Sequence, residues 1–173
     1  TDVTPPVFET EEWDRLPPRI RATAESWGWD TLGLDDFREV RRNYYALCTQ
    51  VDESIGKILT CLEETGQKDE TLIVFCSDHG DSLGEHGLLF KEHLYDGALR
   101  VPLIISDPRK DACPPRYPGL VQAIDIMPTI LEWAGVPVPP SVSGKSLVPV
   151  LENPNQVHRA EIFSEFVTHC VNS

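Results

Sequence analysis

The chain has 173 residues, enough to bury a substantial core, and 40% of them are hydrophobic, which excludes a disordered polymer. Its 28 acidic side chains against 15 basic ones leave a formal charge of −13, which excludes the basic surfaces that nucleic acid and anionic membranes require. No apolar run approaches the roughly 18 residues needed to cross a bilayer. Five cysteines (Cys48, Cys61, Cys76, Cys113 and Cys170) form no Cys-x-x-Cys pair, so neither a zinc knuckle nor a thioredoxin motif is expected. Cys48 and Cys76 sit in apolar stretches and read as buried thiols.

Residues 1–36 are punctuated by Pro5, Pro6, Pro17, Pro18, Gly28 and Gly33 and read as an irregular segment. Such a length of loop is expected to pack on an N-terminal half of the protein outside this chain. The opening Thr-Asp-Val-Thr-Pro-Pro has no initiator Met and no signal-peptide pattern, which suggests a piece cut from a longer protein.

A helix is expected over 37–65. Asp36 stands at an N-cap position with Glu39 three residues on, and Gly66 is placed for a left-handed C-cap. Val40, Tyr44, Leu47, Val51, Ile55, Ile58 and Leu62 recur on one face, which should lie across a sheet.

Thr71–Cys76 and Val101–Ile105 are short continuous apolar runs, the pattern of strands buried on both faces. Asp125 reads as the cap of a short helix with Pro128 in its first turn and Gly135 at its end. A proline-rich loop over 137–141 follows, and Ala160–Phe166 is the last strand candidate. This order predicts an α/β fold, a mostly parallel sheet with helices on both faces, incomplete in this chain.

The polar sequence Ser77-Asp78-His79-Gly80-Asp81-Ser82-Leu83-Gly84-Glu85-His86-Gly87 directly follows the first strand, where open α/β sheets place their ligands. Asp78 offers a hard anionic oxygen and His79 an imidazole nitrogen, a compact metal-ligand pair. Gly80 and Gly84 let the backbone turn back over it.

Over Ser77–Ile105 the chain resembles the sulfatase family of the alkaline phosphatase superfamily. The resemblance rests on Ser77 to Gly80, the turn Leu83 to Gly87, Lys91, Tyr95-Asp96 and Arg100 to Ile104. It extends from about residue 38 to 165, through Tyr44-Tyr45-Ala46, Asp125 to Gly135 and Gly144-Lys145-Ser146-Leu147.

The resemblance implies that residues 37–173 are the C-terminal part of a sulfatase catalytic domain. Asp78 and His79 would be two ligands of one divalent metal, calcium foremost, with manganese or zinc suited to the imidazole. Lys91 would be the catalytic lysine that binds the sulfate of a small-molecule or sugar ester. The compact charge of an ammonium suits a tetrahedral anion. His86 is expected to hydrogen-bond within its turn and His93 to lie at the surface or site rim. Asp52, Asp81, Glu85 and Asp125 read as structural.

The family's nucleophile is a formylglycine made from the cysteine of Cys-x-Pro-Ser/Thr-Arg. Nothing here matches it; Cys113-Pro114-Pro115-Arg116 is one residue too short and follows the metal loop. The nucleophile is therefore expected upstream, and the isolated chain is expected to be inactive. Two alternatives accompany this reading: a phosphonate or phosphate ester hydrolase of the same superfamily, and a non-catalytic module retaining the fold.

Overall fold

Gly33 precedes the first turn of the long helix, and the carboxylate of Asp36 reaches back to accept the Gly33 N–H at 2.8 Å. Helix α3 therefore spans Leu34–Glu64, starting three residues before the expected point, with Asp36 inside its first turn. The computed structural model describes residues 3–6, 10–109 and 116–166; positions 113–115 of the Cys-Pro-Pro-Arg lookalike, and Cys170, lie outside them. The chain divides into two compact units, Thr1–Ile104 with Glu165–Ser173, and Ile105–Ser164.

In the first unit, the segment read as irregular forms α1 (Thr10–Arg15), α2 (Pro18–Ser26) and a 3-10 turn at Trp29–Thr31. Pro18 opens α2 at the position where its missing N–H has no helical partner to lose, so the Pro17-Pro18 pair starts a helix instead of preventing one. This segment has partners within the chain: Leu16, Ala24 and Trp29 share a core with Phe37, Leu88 and Leu89.

Helix α3 ends as expected. Gly66 has φ +68°, and the Gln67 N–H reaches the Leu62 carbonyl at 2.9 Å, which satisfies an otherwise open helix-end acceptor. Its apolar face behaves differently. Phe37 is buried, whereas Tyr44, Leu47, Val51 and Ile58 are exposed, and Cys48 and Cys61 with them.

Strand β1 (Ile73–Cys76) pairs with β2 (Leu103–Ser106) in a two-stranded sheet. Both expected strands are present, each starting two residues late, but Phe75 and Cys76 are exposed. The continuous apolar run reads as burial on both faces; among the described residues no layer covers them. Between the strands lie the polar loop and the short helix α4 (Asp96–Leu99).

In the second unit, α5 (Ile126–Trp133) follows a 3-10 turn at Ala123–Asp125, and α6 (Val148–Glu152) completes the helices. Asp125 does not cap α5 through its side chain. Its fully buried carboxylate instead accepts the N–H groups of Gln122 (3.0 Å) and Lys145 (2.8 Å), His158 Nε2 (3.0 Å) and the Arg159 guanidinium. Burial pushes its pKa up, but these donors, Arg159 foremost, win and hold it well below the usual carboxylate range. Residues 161–166 form no strand; a strand needs a neighbouring ladder, and here the Phe163 carbonyl is taken by the side-chain amide of Gln122 at 2.8 Å.

Asp125→Asn in the full-length protein leaves the nearly buried Arg159 without its counter-charge and is expected to cost about 3–5 kcal/mol. Because the folded pKa of Asp125 is depressed, its contribution is present above the ordinary carboxylate pKa near 4 and lost as pH falls through the folded value. Urea denaturation at pH 7 and pH 3 checks this: the gap between wild type and variant should narrow in acid. The exposed Asp35→Asn serves as control and should change stability by less than about 0.5 kcal/mol.

Candidate functional site

β1 delivers its chain directly into Ser77, whose hydroxyl donates to the His79 carbonyl at 2.7 Å. One carboxylate oxygen of Asp78 accepts the His79 N–H at 2.9 Å, which draws the Asp78 pKa below its ordinary value. The rest of that carboxylate faces solvent, with 84% of the side chain exposed.

The His79 ring has two separate sets of contacts. Its Nδ1 lies 2.8 Å from the Gly80 carbonyl, which only accepts, so Nδ1 is the donor of that pair. That Nε2 is 3.4 Å from Asp78 Oδ2. The Lys91 ammonium donates to the same Nε2. Asp78, His79 and Lys91, picked from the sequence across a thirteen-residue interval, thus converge.

The intervening loop closes on itself. Asp81 Oδ1 accepts the Leu83 N–H at 2.9 Å and the Phe90 N–H at 3.1 Å. The Ser82 N–H meets the Phe90 carbonyl at 3.1 Å, and the Gly84 N–H the Leu88 carbonyl at 2.8 Å. Leu83, His86 and Phe90 all have positive φ, between 48° and 58°, a conformation that costs non-glycine residues about 1–3 kcal/mol each. Strain of this kind is held in place by the bonds around it.

Two residues differ from expectation, and a third was not anticipated. His86 leaves its turn: Nδ1 meets the Glu12 carboxylate at 3.1 Å, and the ring stacks on Tyr95 with centroids 4.3 Å apart. His93, expected at the surface or rim, is buried, and its Nε2 meets Ser82 Oγ at 2.7 Å. Arg41 carried no signal in the sequence, being one polar position on α3. Its guanidinium donates to the Leu83 carbonyl at 2.8 Å and the Thr4 carbonyl at 3.3 Å. Asp81 is structural as expected; Asp52 is exposed on α3.

The donor set suits a divalent cation in chemical type. Asp78 has free oxygens, and a histidine that ligates through one nitrogen commonly donates the other N–H to a carbonyl, as His79 does. Among the described residues no group of three or more His, Cys, Asp or Glu side chains assembles, so the pair by itself is not a complete metal site.

The family model described as Sulfatase matches residues 6–136. Among curated proteins, the chain is 42% identical over 142 residues to the multifunctional alkaline phosphatase superfamily protein PehA of Trinickia caryophylli, covering 79% of this chain and 27% of that protein. It is 42% identical over 117 residues to the N-acetylglucosamine-6-O-sulfatase of Bacteroides thetaiotaomicron, covering 68% of this chain and 21% of that protein. Among solved structures, the phosphonate monoester hydrolase of Silicibacter pomeroyi superposes with a TM-score of 0.73 at 34% identity, over 86% of this chain and 31% of its own. The chain therefore spans about a quarter of the length of these curated relatives.

Gly80 is where the loop has least room. Its N–H donates to the Ala98 carbonyl at 2.8 Å, and a Cβ there would lie 1.9 Å from the Gly97 carbonyl oxygen. Gly80→Ala in the full-length protein should destabilise by about 1–3 kcal/mol, since backbone on both sides must shift. Gly56→Ala, with nothing within 4 Å of the added carbon, is the matched control and should be neutral or stabilising. Urea denaturation midpoints of the two variants read the difference.

Proposed function

The chain belongs to the sulfatase family, and from that premise we propose that the full-length protein is a metal-dependent hydrolase of sulfuric esters, small-molecule or sugar sulfates. The observation that carries the proposal is the convergence of Asp78, His79 and Lys91 at one end of a strand through a self-closing loop. The N-acetylglucosamine-6-O-sulfatase among its relatives supports a sugar sulfate as substrate class.

In this reading Asp78 and His79 supply two ligands of one divalent cation, calcium first by the family pattern, manganese or zinc by the imidazole. When bound, the cation supplies Lewis-acid polarisation of the ester's oxygens. Lys91, which here donates to His79 Nε2, would direct its N–H donors to the sulfate oxygens. There it would offset the negative charge on the sulfuryl oxygens as the S–O bond to the departing alcohol breaks. The formylglycine nucleophile and the remaining ligands belong to a part of the protein outside these 173 residues, so the chain alone turns over no ester at a useful rate.

That remainder is also the proposed partner of the exposed face of α3 and of the open faces of the two-stranded sheet. Together they would make a mostly parallel sheet with helices on both faces. A second reading, a phosphonate or phosphate monoester hydrolase, is favoured by the likeness to PehA and to the Silicibacter enzyme.

Full-length Asp78→Ala is expected to bind metal about ten- to a hundred-fold more weakly and to lose turnover. Lys91→Ala should keep its metal and lose roughly a hundred-fold in kcat. Metal content by elemental analysis and kinetics on an aryl sulfate and an aryl phosphonate check both. Unchanged metal in Asp78→Ala, or full activity in Lys91→Ala, would overturn the assignment. The ratio of the two substrates decides between the readings.

A further inference from the structure

Lys91 lies on a loop, and a lysine free to wander would make a poor hydrogen-bond donor to an anion. Two buried side chains behind it bear on this. Ser82 is 2% exposed and His93 4%, and Ser82 Oγ lies 2.7 Å from His93 Nε2. The backbone N–H of Tyr95 points at His93 Nδ1 at 3.3 Å. A backbone N–H only donates, so Nδ1 holds the lone pair, and Nε2 carries the proton and donates to Ser82. Burial pushes the His93 pKa down, which keeps this neutral tautomer in place.

This assignment also rules out the tempting alternative. A serine next to a buried histidine suggests an activated nucleophile, but a histidine that donates to the hydroxyl cannot take its proton. The pair is mechanical.

Its mechanical effect falls on Lys91. The Ser82 N–H meets the carbonyl of Phe90, immediately before Lys91, at 3.1 Å. The His93 N–H meets the carbonyl of Lys91 itself at 2.7 Å. Ser82 and His93 therefore hold the lysine's backbone on both sides, and their side-chain bond locks the two holds together. The His93 ring lies 5.2 Å from the Tyr95 ring, and Tyr95 stacks on His86, which limits the ring's escape.

We infer that His93 and Ser82 form a positioning pair that fixes where the Lys91 ammonium is presented to the anionic group of the substrate. The inference rests on the proposed role of Lys91. It assigns His93 a place in the reaction without contact with the substrate.

The test uses the full-length protein, an aryl sulfate as substrate and inorganic sulfate as competitive inhibitor. Asparagine at 93 keeps an acceptor near Nδ1 but falls short of Ser82; glutamine places an amide near Nε2 and reaches it. His93→Asn and Ser82→Ala are each expected to lower kcat/KM and weaken sulfate inhibition by about ten- to a hundred-fold, the scale of a small misplacement of a catalytic group. Their effects should not add in the double variant, because both remove one bond. His93→Gln should recover most of the activity, and metal content should be unchanged throughout.

Native kinetics in Ser82→Ala and His93→Asn, in a protein where Lys91→Ala is inactive, would defeat the inference and leave the role of Lys91 standing. Losses that merely follow a fall in melting temperature, without recovery in His93→Gln, would defeat it too, as a purely structural role. Full activity in Lys91→Ala would instead remove the premise.

Discussion

The carboxylate of Asp81 is the knot on which the candidate site depends. One oxygen receives N–H groups from both ends of the loop, Leu83 at 2.9 Å and Phe90 at 3.1 Å. Hydrogen bonds to an ionised acceptor contribute more than neutral ones, about 1.5–3 kcal/mol each. They oppose two costs, the entropy of closing the loop and the strain of three bulky residues in left-handed backbone. Without that closure, His79 and Lys91 would be two separate positions along a chain. With it, their side chains touch.

The loop is also held from behind by the core. Leu88 and Leu89, shortly before Lys91, are buried against Leu16, Ala24, Trp29 and Phe37 and are the loop's hydrophobic anchor. Phe90, next to Lys91, packs at 5.7 Å against both Trp27 and Trp29. Arg41 ties the Leu83 carbonyl to α3. Residues of the 10–37 segment thus act on the loop through packing, although none belongs to it.

This explains which features could be read from the sequence. The α3 periodicity, the Gly66 end, both apolar strands and the Asp-His pair are local patterns, each contained in a few neighbouring residues. The family pattern at Lys91 added a distant residue that no local signal would pick out. What escaped was non-local or two-sided. The Pro17-Pro18 pair reads as a helix breaker until its position at a helix start is known. His93 looked like a rim residue because its partner, Ser82, is eleven positions away and chemically ordinary. Residues 160–166 have the composition of a strand, but strand formation depends on a neighbour that composition does not reveal.

Two aspartates separate structural from chemical roles more clearly than their titration does. Asp125 and Asp107 carry the strongest perturbations: the Arg109 guanidinium and the Trp133 N–H overcome burial and hold Asp107 near about 2. By perturbation alone, these would be the functional candidates. Yet a carboxylate offers about four lone-pair sites, and Asp125 already receives five N–H contacts from Gln122, Lys145, His158 and Arg159. It has nothing left to give a cation. Asp78 makes one backbone hydrogen bond, leaves most of its surface to solvent, and sits beside an imidazole whose other nitrogen is already committed. A site that must bind something needs unspent donors held in a fixed place, and of these three carboxylates only Asp78 meets both conditions.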